Sequence, residues 1–334
     1  MTETDRSVAE ESTRLMAEGM DLINRSEWST AAGVFREAGR LRDSLPWQGN
    51  EEFAWMVAAA WLNHGDMLIR TGNPAVRKEA IASFDMVIAA MAHVRLDAQP
   101  AFAERLILTW LNRAGAWTDE GDVEAALADF REAEKVLRIW GEEATPVSRF
   151  MAGMLRINRA RLMIREKRVM ESLADITHGI AFLKPLDLTA ETARAHIQAR
   201  SLRCRALALL LDEKGGAEKV GDWIAEATDS AEEALALVRA SGFHDERVSD
   251  LVRYGAKIYQ VCQPHFLGEF LAEWLGPQGP LSEDAVLKKE MGNVLLIARL
   301  EVETKVLAFA HDTEFVAKQT TVLRSLQRGM AALS

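Results

Sequence analysis

The chain has 334 residues, of which 49% are hydrophobic and 27% charged, and its formal net charge is −10 at pH 7. The apolar content is ample for a continuous core, and the acidic balance argues against general nucleic-acid binding. The 8 prolines leave long stretches free for helix, and the two cysteines, Cys204 and Cys262, form no CxxC pair. That argues against a disulfide framework or a zinc site and fits a reducing compartment.

The first residues, Met1-Thr2-Glu3-Thr4-Asp5, are acidic rather than basic and then apolar, so no secretory signal is expected. No run of about 18 apolar residues marks a membrane span. A first helix pair is expected from about Val8 to Leu45, its second helix carrying Ala31, Phe35 and Ala38 on one face. Pro46-Trp47-Gln48-Gly49-Asn50 breaks the helix, and Asn50 can cap the next one with Glu51 and Glu52 in its first turn. The second pair holds Trp61, Gly65 and Leu68, then Gly72-Asn73-Pro74 as stop, cap and first-turn proline, then Ala80 and Phe84.

The third pair has the clearest pattern. Trp110, Ala114 and Trp117 share one helix face, Gly121 and Asp122 supply a turn and a cap, and Ala126, Phe130 and Ala133 share a face of the next helix. The small residue of the first helix recurs as Gly19, Gly65, Ala114, Ala160, Ala206 and Gly255, at steps of 46, 49, 46, 46 and 49 residues. The second helices keep the same period: Ala80 to Phe84, Ala126 to Phe130, Ser172 to Ile176.

These residues resemble the tetratricopeptide repeat, with its W-x2-L-G-x2-Y and A-x3-F pattern. The match departs at the Leu position, where Arg113 stands, and the period exceeds the family's usual ~34 residues. The resemblance spans roughly residues 8–275 and implies an all-α fold, a right-handed α-solenoid of stacked helix-turn-helix repeats. HEAT-type helix pairs, with periods of ~40–47 residues, are the architectural alternative.

Thr145-Pro146 opens a fourth pair with Ala160, Met163, Ser172, Ile176 and Gly179. Pro185 and Thr189 introduce a fifth with Leu202, Ala206 and Leu209, closed by Gly215-Gly216. A second helix follows over about 219–239. Leu251, Gly255 and Ile258 belong to a sixth, whose short second helix starts at Pro264 and ends near Leu275. Gly276-Pro277-Gln278-Gly279-Pro280 is the sharpest break. Ser282 is expected to cap a long helix to about Ala310, and Thr313 a last one to about Leu333. The expected division is a repeat array over 1–281, about six helix pairs, and a C-terminal capping pair over 282–334 in the same solenoid. A cap must show one face to water, which explains why this pair lacks the repeat pattern. A separate dimerising module is the other reading of it.

The search for catalytic chemistry is negative. GxGxxG, HExxH and GxSxG are absent, and Gly216 and Gly221 have P-loop spacing without the Lys and Ser/Thr that a phosphate needs. No His has an i+3 or i+4 His partner to hold a metal, so neither metal nor cofactor is expected. Two first helices are basic in an acidic chain: residues 149–168 sum to +6 and residues 189–211 to +3. Pairing with acidic neighbours is the plain explanation. Trp61, Trp110 and Trp117 read as core, Trp28, Trp47 and Trp140 as wedges near turns, and Met16, Met20 and Met163 as core filler.

One polar column stands out. Asn63, Asn112 and Asn158 each lie two residues before the small residue of their helix. Two residues turn a helix by about 200°, so each points away from the packing stripe. An amide that both donates and accepts matches a peptide unit of an extended chain. In the family that the sequence resembles, the same column lines the concave groove, so the resemblance implies that these residues hold a ligand's main chain. Arg161 and Arg165 share the face of Asn158, and Arg200 lies on the matching face of the next first helix, where their forks can meet acidic side chains or a terminal carboxylate. The competing reading is structural, with the amides bonded to neighbouring helices and the adjacent column, His64, Arg113, Arg159 and Arg205, as partner. The expected function is a non-enzymatic cytoplasmic scaffold or adaptor that binds a protein or peptide segment, without nucleic acid or membrane. A peptide- or small-molecule-responsive regulator is one alternative, and an enzyme or enzyme subunit with a site between repeats is another.

Overall fold

A computed structural model of the chain describes residues 3–96, 100–213, 220–243 and 246–333. Among the described residues the structure is fourteen α-helices and one 3-10 turn, with no strand. The helices come in pairs: α1 (Glu3–Asn24) with α2 (Trp28–Asp43), α3 (Glu51–Arg70) with α4 (Arg77–Met91), and α5 (Pro100–Glu120) with α6 (Val123–Trp140). Next are α7 (Pro146–Arg165) with α8 (Val169–Leu183), and α9 (Ala190–Glu213) with α10 (Val220–Ser241). The last are α11 (Glu246–Cys262) with α12 (Pro264–Leu275), and α13 (Ala285–Ala308) with α14 (Thr313–Leu333). The expected stop at Gly215-Gly216 lies outside the described residues, as does the Gly216 end of the P-loop-like spacing.

Two compact units divide the chain, Met1–Leu162 and Met163–Ser334. In the first, each helix from α1 to α6 packs on the next. In the second, α9 packs on α8, α10 and α11, and α11 packs on α12. This stacking of adjacent pairs is that of a right-handed α-solenoid of helix-turn-helix repeats.

The small residue of the first helix explains the close fit within a pair. A Cβ placed on Gly19 would lie 2.5 Å from the Phe35 ring, and one on Gly65 would lie 2.6 Å from the Phe84 ring. Gly255 stands in the same relation to Phe270, at 2.6 Å. Phe35 and Phe84 are fully buried, as are Ala114 and Phe130 at the equivalent positions of the third pair.

The turn inside a pair also repeats. Ser26, Gly121 and Lys167 have φ of 60°, 87° and 59°, the left-handed region. The amide after each donates to a carbonyl five residues back: Glu27 to Leu22, Asp122 to Trp117 and Arg168 to Met163. This is the Schellman closure of the first helix. Asp122 then caps α6 by accepting from the Ala125 amide at 3.0 Å, and Asn50 caps α3 by accepting from Phe53 at 3.1 Å. Asn73 caps the 3-10 turn Pro74–Val76 rather than α4 itself.

The caps of the last two helices differ from expectation. Residues 281–283 form a turn, and Asp284 rather than Ser282 caps α13, accepting from the Leu287 amide at 2.9 Å. Asp312 rather than Thr313 accepts from the Phe315 amide at 2.9 Å. A carboxylate one residue before the helix adds favourable charge at the positive end, which a hydroxyl does not. α14 packs closely on α12 as well as on α13. The crossing is made of small residues: a Cβ on Gly268 would lie 1.9 Å from the Ser325 carbonyl oxygen, and one on Gly329 would lie 2.6 Å from the Gly268 Cα.

Replacing Gly65 by Leu should drive a side chain into the Phe84 ring and lower stability by about 1–3 kcal/mol. Urea denaturation against wild type measures this, and an unchanged midpoint would refute the close packing as a constraint.

Candidate functional site

The three asparagines occupy equivalent places on α3, α5 and α7. All three are half-buried. None of their side-chain amides is hydrogen-bonded to another described residue. Arg161, one turn after Asn158, extends toward α5: a Cβ on Gly115 would lie 3.5 Å from its Nη2. Gly115 is itself one turn after Asn112, so Asn112, Asn158 and Arg161 lie together in the first unit. Arg165 is exposed and belongs to the second unit.

Arg200 departs from the role expected of it. Its Nε and Nη2 donate to Glu233 Oε2 at 2.9 and 2.5 Å, and its Nη1 lies 3.0 Å from His196 Nδ1. The residue is only 7% exposed, so its fork is taken up within the chain. The pairing partner, on α10, could not be read from the sequence because the fifth repeat has no regular second helix.

The column beside the asparagines is not their partner. Its first two members, His64 and Arg113, tie the two helices of a pair together. His64 is buried, with Nδ1 2.8 Å from Ser83 Oγ of α4. Arg113 donates from Nε and Nη2 to the buried Asp129 of α6, at 2.9 and 2.7 Å, and from Nη1 to Asp85 of α4. Its guanidinium also stacks on Trp110, 4.7 Å from the ring centre. Ser83 and Asp129 are themselves 46 residues apart, so the partner changes in step with the column: Ser for His, Asp for Arg. That covariation between repeats was the missed signal.

Other cations are held internally too. Arg42, 5% exposed, donates to Ser12 Oγ at 3.1 Å and to the Met56 carbonyl at 2.6 Å. Arg105 donates to the Trp55 carbonyl at 3.1 Å and stacks on the Trp55 ring. Burial pushes both guanidinium groups down to about 10, with the Arg42 charge adding to the effect on Arg105. On the basic helices, Arg156 reaches Glu134 at 3.1 Å, Arg149 reaches Glu143 at 3.1 Å, and Arg205 lies over the Tyr254 ring. These pairs account for much of the local positive charge.

The aromatic readings need correction. Trp61, Trp110 and Trp117 are half-buried rather than fully buried, and Trp61 and Trp110 pack against the core from its margin. Trp61 lies on Gly39 of the preceding pair and donates its indole N–H to Asp43 at 3.0 Å. A polar edge that needs a partner keeps such a ring at the margin of the core. Among the described residues Trp274 of α12 is a fully buried tryptophan. Met20 points outward, 47% exposed, where core filler was expected.

Cys204 is fully buried, and desolvation pushes its thiol up to about 12, far from a reactive thiolate. The Cys262 side chain lies outside the described residues. Among the described residues no group of three or more His, Cys, Asp or Glu is arranged to hold a metal ion, and no helix is long and apolar enough to cross a membrane. A cavity of about 230 Å³ in the second unit lies between α10, α11 and α12, walled by Tyr259, Phe270 and Trp274 and rimmed by Glu232, Glu269 and Glu273.

No protein-family model matches the chain, and no curated protein matches it significantly in sequence. Among solved structures, it is similar to a tetratricopeptide repeat protein from Parabacteroides merdae at 16% identity and a TM-score of 0.37, over 95% of this chain and 99% of that one. It is similar to a TPR repeats protein from Bacteroides fragilis at 13% identity and a TM-score of 0.29, over 75% of this chain and 98% of that one. A circular tandem repeat protein with novel repeat topology and enhanced subunit contact surfaces gives 13% identity and a TM-score of 0.31, over 98% and 91%.

Two outcomes test the structural column. Arg113→Leu should destabilise by about 3–5 kcal/mol, because Asp129 is left buried and unpaired, whereas Arg113→Leu with Asp129→Leu should recover most of that loss. Equal losses in urea denaturation would sink this account. His64 gives a pH signature. Burial lowers its folded-state pKa to about 4, Glu79 opposing and Arg36 and Arg40 assisting. The unfolded chain therefore binds a proton below about pH 6.5 that the folded chain refuses until about pH 4. Stability should fall with decreasing pH across that window, by roughly 2–3 kcal/mol from this residue. His64→Gln, which keeps a partner for Ser83, should flatten that part of the Tm-against-pH curve.

Proposed function

We propose that the first unit is a non-enzymatic protein-interaction module of a cytoplasmic scaffold or adaptor. Asn63, Asn112 and Asn158 grip the main chain of an extended segment, and Arg161 meets an acidic side chain or terminal carboxylate beside Asn112 and Asn158. The observation that carries this reading is the contrast between two adjacent columns. The His64/Arg113 column is satisfied inside the protein, while three amides in register next to it are half-buried and make no hydrogen bond to a described residue. Asn is a mediocre helix former, so its recurrence without an internal partner favours an external one. A preformed row of amides also lowers the ordering cost of binding. Arg200 has no part in this reading, since Glu233 holds it.

The test is a comparison of wild type with the Asn63→Ala/Asn112→Ala/Asn158→Ala variant. The variant should melt within a few degrees of wild type. Affinity for a partner captured by wild type should fall by roughly 10- to 1,000-fold, at about 0.5–1.5 kcal/mol for each amide lost. A large drop in melting temperature, or unchanged affinity for every captured partner, would overturn the proposal.

A further inference from the structure

α13 is apolar on both sides. Its inner face, Leu287, Met291, Leu295, Ala298 and Val302, is buried against the rest of the second unit. Its outer face carries Leu296, Ile297, Leu300 and Leu307, all exposed, the last at 79%. A helix that is apolar all round is ordinarily covered all round.

The order of residues along that outer face says what covers it. One stripe of that face, flanked by Ile297, reads in chain order Ala285, Lys289, Gly292, Leu296, Leu300, Glu303, Leu307, at steps of three and four. Turned end over end about Leu296, the stripe matches itself: Leu307 falls opposite Ala285, Glu303 opposite Lys289, Leu300 opposite Gly292, and Leu296 opposite Leu296. Large side chains meet small ones, and a cation meets a carboxylate at each end. A parallel arrangement would instead set Lys289 on Lys289 and Glu303 on Glu303. The receiving ground exists as well. A depression of about 420 Å³ is lined by Ala285, Lys288, Lys289 and Gly292 of α13 and by Met330 and Leu333 of α14. It lies where Leu300 and Leu307 of a second copy would seat. Glu303 now holds Arg299 at 2.7 Å on its own helix, and Lys289 is exposed opposite that place in the paired arrangement.

We propose that this face joins two copies of the chain, with α13 packed antiparallel on α13 of the partner over a seam of about 33 Å. The contact is isologous, so each match occurs twice, and opposed helix dipoles favour it. The proposal is independent of the binding role proposed for the asparagines of the first unit.

Sedimentation of the full chain tests it, with circular dichroism to confirm folding. Wild type should sediment as a dimer at tens of micromolar. Leu300→Asp should give a folded monomer. Lys289→Glu and Glu303→Lys should each weaken association by roughly tenfold or more, since each change acts at two places. The double variant Lys289→Glu/Glu303→Lys on one chain should restore it. A monomeric wild type, a dimer indifferent to Leu300→Asp, or single reversals that the double variant fails to rescue would each overturn the proposal.

Discussion

The contact on which the array depends is a ring pressed against a helix that has no side chain at that point. Phe35 on Gly19, Phe84 on Gly65 and Phe270 on Gly255 set how closely the two helices of a pair approach. The aromatic ring is buried in the contact, and the missing Cβ lets it approach the backbone. With that distance fixed, the short turn at Ser26, Gly121 or Lys167 can close in one left-handed residue. A pair held in this way has two faces left over, one for the next pair and one for solvent or a ligand.

The polar columns follow from that geometry. A residue immediately before the small position faces the second helix of its own pair, close to the ring. His64 with Ser83 and Arg113 with Asp129 are two ways of satisfying it there, whereas Arg159 reaches Glu134 of the preceding pair and Arg205 lies over Tyr254 of the following one. A residue one place earlier is turned a further 100° away. The asparagines stand at this earlier place. Side chains bonded within a pair and amides without a bond to a described residue are separated by a single residue on the same helix.

Much of this was legible in the sequence because it is periodic. The small residues, the A-x3-F pattern and the Gly121-Asp122 turn located most helices and the fold class. What was not legible depended on partners distant in the chain. Phe270 answers Gly255 at nearly the offset that Phe35 has from Gly19, but α12 lacks the preceding small residue that marks the pattern elsewhere. Arg200 sits on the face that position predicts, yet Glu233 claims it, and no rule of spacing contains that event. The tryptophans were misplaced for a related reason. Helical periodicity reports the side to which a residue points and is silent on the indole N–H, which holds Trp61 at the edge of the core beside Asp43.

The end of the chain shows how the same constraints change when the repeat stops. α12 and α14 meet through Gly268, Ser325 and Gly329, small on both sides, with no ring between them. Backbone approaches backbone, and α14 occupies the surface of α12 that a following pair would otherwise cover. α13 is then left bound on one side only. Leu296, Leu300 and Leu307 continue the apolar surface outward, and the same stripe reversed matches their order and charge. A second copy of α13, reversed, would cover that surface with its own large and small residues interchanged.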